Sequence, residues 1–146
     1  MNILIRNEQI KTFEEQAEED FVRKVKSLLN KHRRYVTENY TDEELDVMVR
    51  NGIKRARNHR IESELALFRF VDVMFGVAPN FDDHPMVKEF LAPHKSHPDE
   101  RVALMVKLMT SMDWEEVKKV YDPAAWGLPG FEGENVGSDT PSGGSE

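Results

Sequence analysis

Five residues in one short stretch carry the side chains that do chemistry. Asp82, Asp83 and His84 stand together in the run NFDDHP, and His94 and His97 follow in HKSHP. Imidazole and carboxylate are the ligands of zinc and manganese sites, and paired carboxylates serve as general acid and base. The spacing matches no metal-ligand pattern, however. Adjacent carboxylates project in divergent directions, and neither a nucleophile nor a partner base accompanies them. Asp82 and Asp83 are therefore expected to anchor the N-terminus of the following helix, where a carboxylate satisfies free backbone N–H groups. His97, just before Pro98, is expected to start another helix. No metal, cofactor or catalytic residue is expected. A small metal-dependent enzyme built on Asp82, Asp83, His84, His94 and His97 is the alternative from a different class.

A second group is basic. Arg50, Lys54 and Arg57 fall on one helical face, with Arg55 and Arg60 close by. Such a face can meet phosphates or an acidic protein, or it can be a solvated surface paired with Glu62, Glu64 or the acidic half of the first helix. A nucleic-acid regulator would need base-reading side chains on a compact helix-turn-helix and interleaved aromatics, and neither is evident. The face is taken as a protein-binding patch, and nucleic acid is not expected as a partner. Trp126 and Phe131, in a WGLPGF segment within a polar region, are the other partner-binding candidates. They either fold back on the helices or form a short motif for a partner.

The elements that must position these groups are all helical. The central stretch Leu65 to Val77 is apolar except for Arg69 and Asp72. A helix apolar almost all round needs neighbours on most of its circumference, so Leu65, Phe68, Val71, Met74 and Phe75 are expected to be buried at the centre of a bundle. Arg69 and Asp72, three residues apart, share one side of it and mark a wet edge or a paired cluster. Ser63 is its expected N-cap.

Before it, apolar residues recur from Asn7 to about His32 at Ile10, Phe13, Ala17, Phe21, Val25 and Leu28, with Val22 and Leu29 widening the stripe. Acids fill the first half of this helix and bases the second, which complements the helix macrodipole. Glu19 with Arg23 and Asp20 with Lys24 are the expected i,i+4 pairs. Thr41 and Glu44 form a capping box for a helix running to about Asn58, with Leu45, Met48, Val49, Ile53 and Ala56 inward. Pro85 opens a short helix that Pro93 stops, and Pro98 opens one with Val102, Met105, Leu108 and Met109 on one side. Asp113 with Glu116 has the capping signature of a last helix holding Trp114, Val117, Val120 and Tyr121.

The expected fold is thus all-α: a single compact bundle of five to six helices over residues 1–121, followed by a flexible, acidic, Gly/Pro-rich tail over residues 122–146. Most of the 8 glycines lie in that tail, and its acids Asp122, Glu132, Glu134, Asp139 and Glu146 carry most of the net charge of −7. The helical part is close to neutral, which gives no generic attraction to nucleic acid or anionic lipid. Removing the tail is expected to leave the fold intact. The chain has no cysteine, which excludes disulfides, thiolate metal sites and thiol catalysis. No run approaches the roughly 18 apolar residues of a membrane span, and the N-terminus reads as neither signal nor transit peptide. A cytoplasmic location is expected, with no membrane partner.

One set of positions carries a resemblance. Gly52-Ile53, Arg55-Ala56, Ile61, Ser63-Glu64, Phe70-Val71, Met74-Phe75, Phe81-Asp82 and Pro85 resemble a group of small helical accessory proteins of bacterial type VI secretion and polymorphic-toxin loci. The likeness is best over residues 44–92. That group often has an aromatic residue and a glycine just before the position of Ile61, where this chain has His59-Arg60. The resemblance implies no catalytic residues. It implies a non-enzymatic adaptor, chaperone or immunity factor working with a secreted toxin or effector.

Overall fold

The computed structural model describes residues 12–93 and 96–130. Among them are seven α-helices, three short 3-10 turns and no strand, so the chain is all-α. Helix α1 spans Phe13–His32 and begins with a capping box: Glu15 N–H donates to Thr12 Oγ1 at 3.0 Å, and Thr12 N–H donates to Glu15 Oε1 at 3.1 Å. Its buried residues are Phe21, Val22, Val25 and Leu29. The expected stripe through Phe13, Ala17 and Leu28 is corrected here. Phe13 is 90% exposed, because the first turns of α1 carry no buried residue, and the core-facing line runs through Val22 and Leu29 instead. Ile10 lies outside the described residues. Asp20 pairs with Arg23, and Lys24 reaches Glu64 on another helix rather than closing an i,i+4 pair with Asp20.

After the single turn α2 (Arg34–Thr37), helix α3 spans Asp42–Asn58 behind the Thr41–Glu44 capping box, as its sequence predicts. Helix α4 (Glu64–Gly76) is capped by Ser63, whose hydroxyl accepts from Ala66 N–H. Its buried face is Ala66, Leu67, Phe70, Val71, Val73, Met74 and Phe75. Leu65 is 57% exposed and Phe68 half-buried, contrary to expectation. The reason is the helical phase: Leu65, Arg69 and Asp72 lie at i, i+4 and i+7 along one strip, and that strip is the edge left open to solvent.

Helices α3 and α4 make the most extensive pairing in the fold. Gly52 permits it, since a Cβ there would stand 2.8 Å from Met74 Sδ and 3.1 Å from Val71 Cγ2. A 3-10 turn, Phe81–Asp83, leads to α5 (Pro85–Leu91) and then α6 (Pro98–Leu108), which packs on both α4 and α5. Leu108, expected inward on α6, is 56% exposed, while Val102, Met105 and Met109 are buried. Helix α7 spans Ser111–Val117, and its capping box is Thr110 with Asp113 rather than Asp113 with Glu116. Thr110 caps the helix through its hydroxyl, and Asp113 is the acid at N3.

The domain does not end at residue 121. Residues 118–128 form a strap that returns across the bundle. Buried Asn80 donates from Nδ2 to Val120 O at 2.8 Å and accepts from Asp122 N–H at 3.0 Å. Asn51 on α3 donates to Ala125 O at 2.7 Å. Trp126 is 2% exposed, with its ring 4.8 Å from that of Phe75, and Leu128 is buried beside the same core. The boundary read from composition is corrected accordingly: a Gly/Pro-rich stretch is held here by two asparagine side chains and one indole. Phe131 lies outside the described residues.

The end of α3 is unusual. Arg60 has φ 66° and is the only non-glycine residue with positive φ among the described residues. Ile61 N–H bonds back to Ala56 O at 3.3 Å and Arg60 N–H to Arg57 O at 2.9 Å. That is a Schellman motif, with Arg60 at the position usually held by glycine and the buried Ile61 closing onto Ala56.

Two outcomes follow. A chain ending at Tyr121 should lose about 3–5 kcal/mol by removing the Trp126 anchor, whereas one ending at Gly130 should match the full chain, as measured by urea unfolding. Arg60→Gly should raise stability by about 0.5–1 kcal/mol, because relief of left-handed strain outweighs glycine's unfolded-state entropy. A fall in the melting temperature on that change would show that the arginine side chain stabilises the turn.

Candidate functional site

Three places hold charged side chains in more than a solvated arrangement. The first is a groove between the C-terminal end of α1, the open strip of α4 and the α6–α7 region. It has a volume of about 340 Å³. Its apolar surface comes from Val73 of α4 and its C-cap Val77, Val106 of α6 and Trp114 of α7. Arg33, Arg69 and Lys118 bring positive charge to it, and Asp72 and Glu115 negative charge.

Arg33 is the C-cap of α1, and its side chain crosses to α4. Its Nε donates to Asp72 Oδ1 at 2.9 Å, its Nη2 to Asp72 Oδ2 at 3.1 Å, and its Nη1 to Tyr35 Oη at 3.1 Å. The guanidinium rests on Gly76, where a Cβ would come within 2.7 Å of Arg33 Cζ. The hydrogen bonds to Asp72 outweigh burial and raise the Arg33 pKa above its ordinary value. This bidentate fork uses both the geometry and the charge of arginine, so lysine would not replace it. Arg69, one turn earlier on α4, is half-buried and makes no hydrogen bond or ion pair among the described residues. Lys118 reaches Glu115 at 3.3 Å in a solvent-exposed pair.

The second place is the end of α3. Asp82 is buried, and its Oδ1 accepts from Arg55 Nε at 2.7 Å while its Oδ2 lies 2.8 Å from His59 Nε2. A carboxylate oxygen cannot donate, so His59 carries its proton on Nε2. Arg55 also donates through Nη2 to Asp83 Oδ1 at 3.2 Å. The His59 ring sits 5.7 Å from Phe70, whose ring meets that of Phe81 at 4.8 Å in a tilted contact. Burial pushes the Asp82 carboxyl up, but the hydrogen bonds from His59 and Arg55 prevail and hold it below the ordinary carboxylate range. The cluster therefore staples the turn before α5 to the C-terminus of α3, where cations also complement the helix dipole.

This corrects the expectation that Asp82 and Asp83 anchor the following helix. That cap is His84, whose Nδ1 accepts from Met86 N–H at 3.1 Å. His97 starts its helix as expected, with Nδ1 accepting from Asp99 N–H at 3.0 Å. Asp99 in turn accepts from Glu62 N–H at 2.8 Å and Ser63 N–H at 3.0 Å, joining the starts of α4 and α6. His94 lies outside the described residues. Among the described residues, no three His, Cys, Asp or Glu side chains gather where they could hold a metal ion.

The third place is the outer face of α3. Arg50 pairs with Asp46 at 2.7 Å, and Arg57 makes a two-pronged contact with Glu18 of α1 at 2.9 and 3.1 Å. Lys54 is exposed and has no ion pair among the described residues. Of the arginines of this face, Arg57 is thus spent on the acidic half of α1 and Arg50 on its own helix. Trp126, the other sequence candidate, is a core residue. What sequence reasoning missed is the groove: Arg33, Val106 and Trp114 come together only through tertiary packing. The one local signal was Arg69 with Asp72 in an otherwise apolar helix.

No family model, curated protein or solved structure matches this chain.

The Asp82 staple gives a pH prediction. Its folded-state pKa lies below the unfolded value of about 3.9. Its contribution is therefore complete above that unfolded value and is lost as pH falls through the depressed folded one. Asp82→Asn should cost about 3 kcal/mol near neutral pH, toward the low end for breaking a buried pair because Arg55 and His59 keep some solvent. It should also flatten the stability profile below about pH 4. Equal slopes for variant and wild type in acid would show that Asp82 is not held ionised by these partners.

Proposed function

We propose that this chain is a cytoplasmic, protein-binding accessory, an adaptor, chaperone or immunity factor for a secreted bacterial toxin or effector. It acts by presenting a surface rather than by turning over a substrate. The observation that carries the reading is the groove: an apolar floor open to solvent, rimmed by cations, with Arg69 half-buried beside it and without a partner among the described residues. Apolar surface next to unspent charge is the composition of a protein contact, where buried anchors set lifetime and rim charges set encounter rate. The side chains that could have supported hydrolytic or metal chemistry have other work: His84 and His97 cap helices, and Asp82 is the acceptor of a structural staple. Among the described residues, no helix is long and apolar enough to cross a membrane.

The toxin or effector class of the partner rests on the resemblance over residues 44–92. The groove is favoured over the α3 face, because Arg50 and Arg57 are engaged with Asp46 and Glu18 while the groove is open. The α3 face with Lys54 becomes the second surface.

The test is site-specific photocross-linking in cells of the native source, with the cross-linker at Val106 in the groove or at Lys54 on α3. The expected result is one adduct from position 106, identified by mass spectrometry as a secreted toxin or effector, and little from position 54. Val106→Glu should weaken the isolated complex at least about tenfold, or ~1.4 kcal/mol. Adducts from position 54 alone would move the function to α3. An adduct that is neither toxin nor effector would overturn the partner class.

A further inference from the structure

We propose that the groove recognises a partner segment in which a carboxylate stands next to a bulky apolar side chain, with Arg69 taking the carboxylate. The inference rests on the binding role above and names the chemistry of what binds.

The argument is one of charge and geometry. Of the cations facing the groove, Arg33 is fully committed, its fork on Asp72 and its remaining nitrogen on Tyr35. Lys118 is neutralised by Glu115 in an exposed pair. Arg69 is left with a full charge and five donors that nothing among the described residues accepts. Its neighbour Asp72 is turned toward Arg33 and does not supply the missing acceptor. Arg69 is half-buried as a residue and lies beside apolar walls, where an incoming carboxylate is worth more than at a fully exposed arginine. The walls are Val73, Val77, Val106 and Trp114, so the same ligand must bring apolar surface.

The volume, about 340 Å³, limits the direct contact to a few side chains. That suits an acidic residue with an adjacent Leu, Ile or Phe, presented on a helix or an extended segment. A cationic segment would meet Arg69 unpaired and Arg33 already satisfied, so it is rejected. An uncharged apolar segment would fill the walls and bury Arg69 without an acceptor, at a penalty. Discrimination between Glu and Gln at the contact is therefore the signature of the site.

A displayed library of random peptides, sorted on the full-length wild-type protein and separately on Arg69→Gln, tests this. The wild-type pool should be enriched in Asp or Glu adjacent to Leu, Ile or Phe, and the Arg69→Gln pool should lose the acid while keeping the apolar residue. The best peptide is then titrated while tryptophan emission is followed. The chain has 2 tryptophans, and Trp126 is 2% exposed, so a saturable change reports Trp114 in the groove. Replacing the peptide's Glu by Gln should weaken binding at least tenfold in the wild type and less than threefold in Arg69→Gln. Enrichment of basic or neutral polar residues overturns the proposal, as does acid enrichment that survives Arg69→Gln. Absence of any enrichment also overturns it, while leaving the cross-linking at Val106 to decide the binding role separately. If removal of residues 131–146, which include Phe131-Glu132, raises peptide affinity, the chain's own C-terminal segment is the occupant and the assignment to a partner is wrong.

Discussion

Helix α4 cannot be solvated on most of its surface, and the rest of the fold is arranged around that fact. Seven of its residues are buried, and they face α3 on one side and α6 on another. The α3 crossing is a close one, because Gly52 brings its backbone against the side chains of Met74 and Val71. A side chain at Gly52 would force Met74 and Val71 to shift in a core where packing is dense. Helix α1 then covers α3, α5 covers α6, and the strap closes the remaining side over Phe75.

What α4 cannot bury defines where charge is allowed. Its open strip holds Leu65, Arg69 and Asp72, and the Arg33 fork locks the end of α1 to that strip. At the opposite end of the α3–α4 connection, Asp82 locks Arg55 and His59. Both carboxylates lie on or next to the central helix, and both draw an arginine from another helix across it. The Arg33–Asp72 pair holds the polar strip of α4 in place. A rigid polar edge beside Val106 and Trp114 makes a groove of defined shape, which lowers the ordering cost of binding.

The features that were legible in the sequence are those set by neighbours within four residues. The Thr41–Glu44 box, the Ser63 cap, the Pro85 and Pro98 starts and the apolar run of α4 are of this kind, and they were enough to specify an all-α fold. What was not legible depends on partners far along the chain. Leu65 looks like core until Arg33 and Asp72 reveal which strip is open. Asp82 looks like a cap until Arg55 and His59 reach it from α3. Trp126 sits in a stretch whose composition reads as tail, and only Asn51, Asn80 and Phe75 make it structure. The turn at His59-Arg60 is instructive in the same way. Arg60 holds the left-handed geometry that glycine would favour, and His59 meets Asp82, a partner 23 positions away.

The strap has a consequence for how the molecule comes into being. Asn51 meets Ala125 across 74 positions of sequence, whereas helices α3 and α4 meet as soon as both exist. Contacts so distant in sequence form late, after local ones. Synthesis delivers the N-terminal helices first. Until residue 126 has left the ribosome, the newborn bundle carries an apolar window over Phe75 that the finished protein does not have. Anything that seats an aromatic side chain in that window during those seconds competes with the chain's own tryptophan.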